Sequence, residues 1–250
     1  MRLDEYVSKN KMSLAEFNRL GDDRLTYDFL KECIYPDSSS LTHEIYKNIF
    51  PWYRPKYHSG DSLNTYRSAI LRKYYGKAYA NLGRDDQEKI LQIIKRHTLV
   101  NSENGGLLFE FDFEANSKKE IKCLCNNYQL GNFGIWVSRK YGINTTRAQI
   151  GYDDFFDLTL NEIKNYYEGK FADNSLSKAI KYDSDYFNQF SGFDEFIEDN
   201  FLQDFLNEKG EVIKLSEIDE FENYVETINN IIQKRGKRII NKLDSSFTTK

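Results

Sequence analysis

SEIDEFENYVETINNIIQKRGKRIINK, residues 216–242, decides the fold class. Phe221, Val225, Ile228 and Ile232 recur at spacings of three and four, and Ile239 continues the same line two turns on. That is one apolar stripe on an α-helix, and the spacing predicts a single long helix over Ser216–Lys242. Arg235 falls on the stripe where an apolar side chain is expected. A buried arginine must be paired, because an isolated buried charge is very costly. Two readings stay open for it. Arg235 snorkels near the helix end with Lys234, Lys237 and Arg238, where the dipole favours cations. Alternatively, it faces an internal carboxylate or a bound anion.

Working outward, Phe193, Ile197, Phe201 and Phe205 predict a helix over Phe193–Leu206. Phe156, Leu160, Ile163 and Tyr167 predict another over Asp153–Tyr167. The middle of the chain changes period. Gly106–Phe113 alternates in part, and Lys119–Tyr128 carries Ile121, Cys123 and Cys125 at period two. These predict two strands, with a turn at Gly131-Asn-Phe-Gly134 and a short strand at Ile135–Val137. Upstream, helices fit Ser62–Tyr75, Asp85–His97 and Thr42–Phe50, the last stopped by Pro51. PWYRPKYHSGDS (51–62) reads as irregular. Ser13 and Glu16 form a capping-box pattern ahead of a short helix. The expected fold is α+β, a mainly helical domain with a small antiparallel sheet near residues 106–137. Residues 1–50 are expected as a helical extension or subdomain and 51–250 as the main globular domain.

With 18 Phe, 18 Tyr and 2 Trp, aromatic residues make 15% of the chain, so rings dominate the core. A net charge of −4 lacks the strongly basic footprint of a general nucleic-acid binder, while leaving room for a local basic patch. Cys33, Cys123 and Cys125 are odd in number, which argues against a disulfide framework and for a reducing compartment. No apolar run spans a bilayer, and the first residues lack a signal-peptide core, so a cytoplasmic protein without membrane association is expected. His43, His58 and His97 stand alone rather than at zinc-ligand spacing.

Several polar residues are candidates for chemistry. Asp154 and Asp157 lie three apart on a predicted helix and so share a face. The alternative is an acidic helix start that favours the dipole. Arg147, in a polar loop before that helix, is either an anion receptor or a partner for Asp154 or Asp157. Asn132 beside Gly131 is ordinary turn chemistry. Asp61 is a natural N-cap for the helix that contains Asn64. Phosphate-binding glycine loops, nucleophile elbows and zinc-protease motifs are missing.

In order, the residues Gly60-Asp-Ser-Leu-Asn-Thr65, Gly131-Asn-Phe133, Ile143-Asn-Thr-Thr-Arg-Ala148, Asp154-Phe-Phe-Asp-Leu-Thr-Leu160, Asn200-Phe-Leu-Gln-Asp204 and Arg235-Gly-Lys-Arg-Ile239 form a recognisable series. The series resembles an uncharacterised bacterial family, over roughly residues 58–242. Its motifs are a G-N turn, I-N-x-x-R-G, D-R-F-D-L-T-L and R-N-x-R-I. Ala148, Phe155 and Gly236 depart from the family's Gly, Arg and Asn, so a role that needs the Arg of D-R-F-D does not transfer. The resemblance implies that Asp61, Asn64, Asn132, Arg147, Asp154, Asp157 and Arg235 converge in one buried cluster, either a pocket or an internal polar network. By analogy with families found among phage-related genes, it also implies a role in phage–host conflict.

Three functions follow. The first is a binding effector that takes a nucleotide or nucleic acid near Asp61, Asn64, Asn132, Arg147 and Arg235, with no cofactor. The second is a hydrolase or nuclease using Asp154 and Asp157 with Mg²⁺ or Mn²⁺. The third is a protein-interaction module or inhibitor with a protein partner and no catalysis.

Overall fold

The computed structural model describes residues 11–29, 37, 39–65, 98–101, 106–109 and 128–248. Its elements in chain order are α1 (Leu14–Arg19), α2 (Ser40–Ile49), β1 (His58–Ser62), β2 (Thr98–Asn101), β3 (Gly106–Phe109), β4 (Phe133–Val137), α3 (Ile143–Gln149), α4 (Phe156–Tyr167), α5 (Ser175–Tyr182), α6 (Ser184–Phe187), α7 (Phe193–Asp199) and α8 (Phe221–Thr248). Short 3-10 turns lie at Gly21–Thr26, Leu130–Asn132, Gln203–Phe205 and Leu215–Glu217. The α+β, mainly helical class expected from the sequence is the class observed.

Two small antiparallel pairs make up the strands: β1 with β4, and β2 with β3. The strand expected at 135–137 is therefore present, but its partner is 58–62, which the sequence reading left irregular. His58-Ser-Gly-Asp-Ser62 carries no apolar alternation to announce a strand. It pairs because Gly60 lets the backbone lie close: a Cβ there would sit 2.0 Å from the Asp37 carbonyl oxygen. The helix expected from Ser62 is corrected over its first residues, since Ser62 ends β1. The remainder of that helix, the whole of the 85–97 helix and all but Tyr128 of the 119–128 strand fall outside the described residues, as do all three cysteines.

Helix ends differ for identifiable reasons. The Ser13–Glu16 capping box forms as expected, with the Ser13 N–H donating to Glu16 Oε2 at 2.8 Å. The 153–167 helix begins only at Phe156. The 193–206 helix ends at Asp199, because Phe201 adopts a left-handed φ of 56°. The 216–242 helix begins five residues late, since Asp157 captures both the Ser216 N–H (3.1 Å) and its hydroxyl (2.6 Å).

Two apolar cores result. One gathers Phe156, Leu160, Ile180, Phe187, Phe196 and Ile228. The other gathers Phe17, Phe29, Ile45, Ile49, Ile239 and Leu243. β4 contributes to both, with Phe133 and Ile135 in one core and Trp136 and Val137 in the other. α8 serves both. Val225, Ile228 and Ile232 enter the first core, and Ile239 and Leu243 enter the second. Arg235 stands between these two runs. Among the described residues, no helix is long and apolar enough to cross a membrane.

Candidate functional site

The polar motif residues are built around the turn that follows β1. The Leu63 N–H donates to the Asn132 carbonyl at 2.6 Å. Beyond it, the Asn64 N–H donates to Asn132 Oδ1 at 3.0 Å, and Asn132 Nδ2 donates back to the Asn64 carbonyl at 2.7 Å. A side-chain amide thus extends the β1–β4 ladder by one step. Asn64 Nδ2 donates to the Asp154 carbonyl at 3.1 Å and to the Tyr224 hydroxyl, which itself donates to the same carbonyl at 2.5 Å. The Asp154 carboxylate accepts from the Thr65 N–H at 2.6 Å and the Thr65 hydroxyl at 2.7 Å.

Arg147 lies in α3 rather than in a loop, which corrects the sequence reading. Its guanidinium is buried over the rings of Trp136 (5.3 Å) and Phe156 (5.5 Å). It donates to the carbonyls of Leu63 (2.7 Å), Asp153 (3.1 Å) and Ser62 (3.4 Å). Burial pulls its pKa down, and the nearby charges of Asp61, Asp153 and Asp154 oppose that pull. Asp61 is a strand residue, not a helix cap. Its carboxylate accepts from Asn144 Nδ2 at 2.6 Å and from the Ser62 N–H at 2.8 Å.

Arg235 does not snorkel, and among the described residues its partners are backbone carbonyls rather than a carboxylate. Mid-helix and 1% exposed, it donates to the carbonyls of Phe133 (2.7 Å), Gly131 (2.8 Å) and Asn200 (3.1 Å). The left-handed turn at Phe201 presents the Asn200 carbonyl to it. Burial lowers the Arg235 pKa to about 10, which still leaves the group charged at neutral pH.

The structure therefore brings Asp61, Asn64, Asn132, Arg147 and Asp154 together, and Arg235 joins them through the backbone of residues 131–133. Asp157 stands apart. It is buried and bonded to Ser216, and burial raises its pKa. Asp154 precedes α4 while Asp157 lies within it, so the two do not share a helical face. Among the described residues, no group of three His, Cys, Asp or Glu side chains is placed to hold a metal ion. Chemically, this cluster binds backbone. Each guanidinium is surrounded by carbonyl oxygens, and an anion would have to displace them.

A different place is open. Where α2 stops at Pro51, the chain turns back into β1 and leaves a cleft of about 390 Å³. Trp52, Arg54, Tyr57 and His58 line one side, and Arg139, Asp185, Tyr186 and Gln189 line the other. That volume lies within the range of small-ligand sites. The Arg54 N–H donates to His58 Nδ1 at 2.9 Å, so the neutral imidazole carries its proton on Nε2. Burial and the Arg54 charge lower the His58 pKa and favour that neutral form. Arg139 is held by Asp185, with contacts of 2.8 and 2.5 Å. The exposed guanidinium of Arg54 meets only the carbonyls of Pro51 (2.8 Å) and Tyr53 (2.9 Å), and no carboxylate among the described residues. Sequence reading missed this cleft. The available signal was the density of rings and cations in PWYRPKYH.

A family model described as a family of unknown function (DUF6994) matches residues 36–239. No curated protein and no solved structure matches the chain.

Proposed function

We propose, for a chain that belongs to the family of unknown function DUF6994, that it is a nucleotide-binding protein and that its ligand enters the cleft beside Arg54, with the motif cluster of Arg147 and Arg235 as the frame that holds the cleft walls. The observation that carries this reading is the pairing in one cleft of Arg54, a cation that meets no carboxylate among the described residues, with the rings of Trp52, Tyr57 and Tyr186. A phosphate suits a guanidinium, and a planar base suits an aromatic wall. His58 Nε2–H and the Gln189 amide supply polar groups for a base edge. The frame follows from the bonds to Leu63 and Phe133, which fix β1 against β4 beneath the cleft.

Thermal unfolding against a panel of nucleoside mono-, di- and triphosphates tests this. Ligand at one hundred times its Kd adds about 2.7 kcal/mol, a shift of several degrees for a chain of this size. Arg54→Ala should keep its own midpoint, because the side chain is exposed, and lose the ligand response. A wild-type protein whose midpoint no nucleotide moves would overturn the proposal.

A further inference from the structure

Three of the five large apolar side chains that are most exposed among the described residues belong to the surface around this cleft, Tyr57 (67%), Tyr141 (64%) and Tyr182 (53%), and a fourth, Phe171 (50%), lies under Lys181, the residue before Tyr182. Tyr57 lines the cleft itself. Arg139 lines it too, and its guanidinium lies 5.7 Å from the centre of the Tyr182 ring outside. Tyr182 meets Tyr141 edge to face at 6.5 Å. The Lys140 ammonium sits 5.2 Å over Tyr141, and that of Lys181 sits 4.0 Å over Phe171.

Ring and cation therefore alternate along a strip that starts in the cleft and leaves it over Tyr182. The charges along it are uneven. Arg139 is neutralised by Asp185 and buried Asp183, and Asp173 is taken by Lys178 at 2.7 Å. Arg54, Lys140 and Lys181 form no ion pair among the described residues. In a chain of net charge −4, this local excess of cations beside open rings complements a polyanion with flat, apolar faces.

We infer that the cleft takes the end of a single-stranded nucleic acid, whose following bases stack on Tyr182 and Tyr141 while its phosphates meet Lys140 and Lys181. The inference rests on the cleft being a nucleotide site. A protein-docking surface would gather apolar rings with few charges at its centre. Here the three rings outside the cleft each carry a cation instead, the composition that suits sequence-tolerant strand binding.

The test is fluorescence anisotropy with a labelled ten-nucleotide oligothymidylate and its oligouridylate counterpart, with thymidine and uridine monophosphates as competitors. The oligonucleotides should bind at least tenfold tighter than the monophosphates and weaken as salt rises. The exposed double variant Tyr141→Ala/Tyr182→Ala should lose tenfold or more in oligonucleotide affinity, the effect of removing stacking for one or two bases. Its monophosphate affinity should stay unchanged, and Arg54→Ala should weaken both. The two sugars separate DNA from RNA as the source of the strand. Oligonucleotides no tighter than monophosphates, or a double variant with unaltered oligonucleotide binding, would overturn the strand and leave the nucleotide cleft standing. If neither class binds, both fall.

Discussion

Asn132 and Asn64 pair in both directions, side-chain amide to backbone, at 3.0 and 2.7 Å, and neither residue is exposed. The amide reproduces what a further residue of β4 would have offered, and so carries the ladder past the point where the strand ends. Asn132→Asp keeps the shape but sets a carboxylate oxygen against the Asn64 carbonyl. We expect it to cost about 2–4 kcal/mol, the order for a buried group that loses its donor and gains repulsion. Urea unfolding would read this, and a midpoint equal to wild type would show that the pair adds nothing.

Arg235 and Arg238 lie one turn apart on α8 and should behave very differently. Arg235→Met keeps much of the volume and strands the carbonyls of Gly131, Phe133 and Asn200. A loss of about 3–5 kcal/mol is expected, as for breaking one partner of a buried charged set. Arg238 makes a partly exposed pair with Asp204 at 2.7 Å. Arg238→Met should cost under about 1 kcal/mol. Equal losses in the two variants would contradict the arrangement.

Gly131 and Gly236 face each other where the turn before β4 crosses α8. A Cβ on Gly131 would lie 2.0 Å from the Ile232 carbonyl oxygen, which is rigid helix backbone. A Cβ on Gly236 would meet the end of the Leu25 side chain at 2.8 Å, which can move aside. Gly131→Ala should therefore destabilise by about 3 kcal/mol or more. Gly236→Ala should stay within about 1 kcal/mol of wild type, since the gain in helix propensity offsets the local push. Paired thermal melts distinguish the two.

Asp37 gives the stability a pH dependence of known sign. Burial, and then the charge of Asp61, push its carboxyl up to about 7. In the unfolded chain it titrates near 4. Between these values the native state holds a proton that the unfolded state has lost, so its contribution falls as pH rises from about 4 to about 7. Asp37→Asn removes the titration. Its stability relative to wild type should climb across that window, by at most about 1.4 kcal/mol per pH unit, and level off above it. Urea midpoints of both proteins at pH 5 and pH 8 check this, and parallel profiles would count against it.

Legibility in the sequence followed the apolar stripes. Phe156, Leu160 and Ile163 announced α4, and Val225 to Ile239 announced α8, because a buried helical face repeats every three to four residues whatever its tertiary partner. Their ends were not legible, since they depend on distant groups such as Asp157 reaching Ser216. β1 was illegible because HSGDS is admitted by close backbone approach at Gly60 rather than by apolar alternation. Arg235 showed itself as an arginine in need of partners, but backbone carbonyls leave no mark in a residue pattern. Asp61, Asn64, Asn132, Arg147 and Asp154 lie together and Arg235 reaches them through the backbone, while Asp157 stands apart on Ser216. Both arginines are met by backbone carbonyls, which no list of side chains contains.

The sharing of α8 between both cores has a consequence for synthesis. Ile228 and Leu243 are fifteen positions apart on α8, and each joins a different core. As the polypeptide emerges from the ribosome, neither core can close until α8 is out. The aromatic clusters assembled from residues 17–205 must wait with their faces uncovered. A nascent chain halted short of residue 220 should therefore be a client of holding chaperones, and the emergence of α8 is the event that releases it.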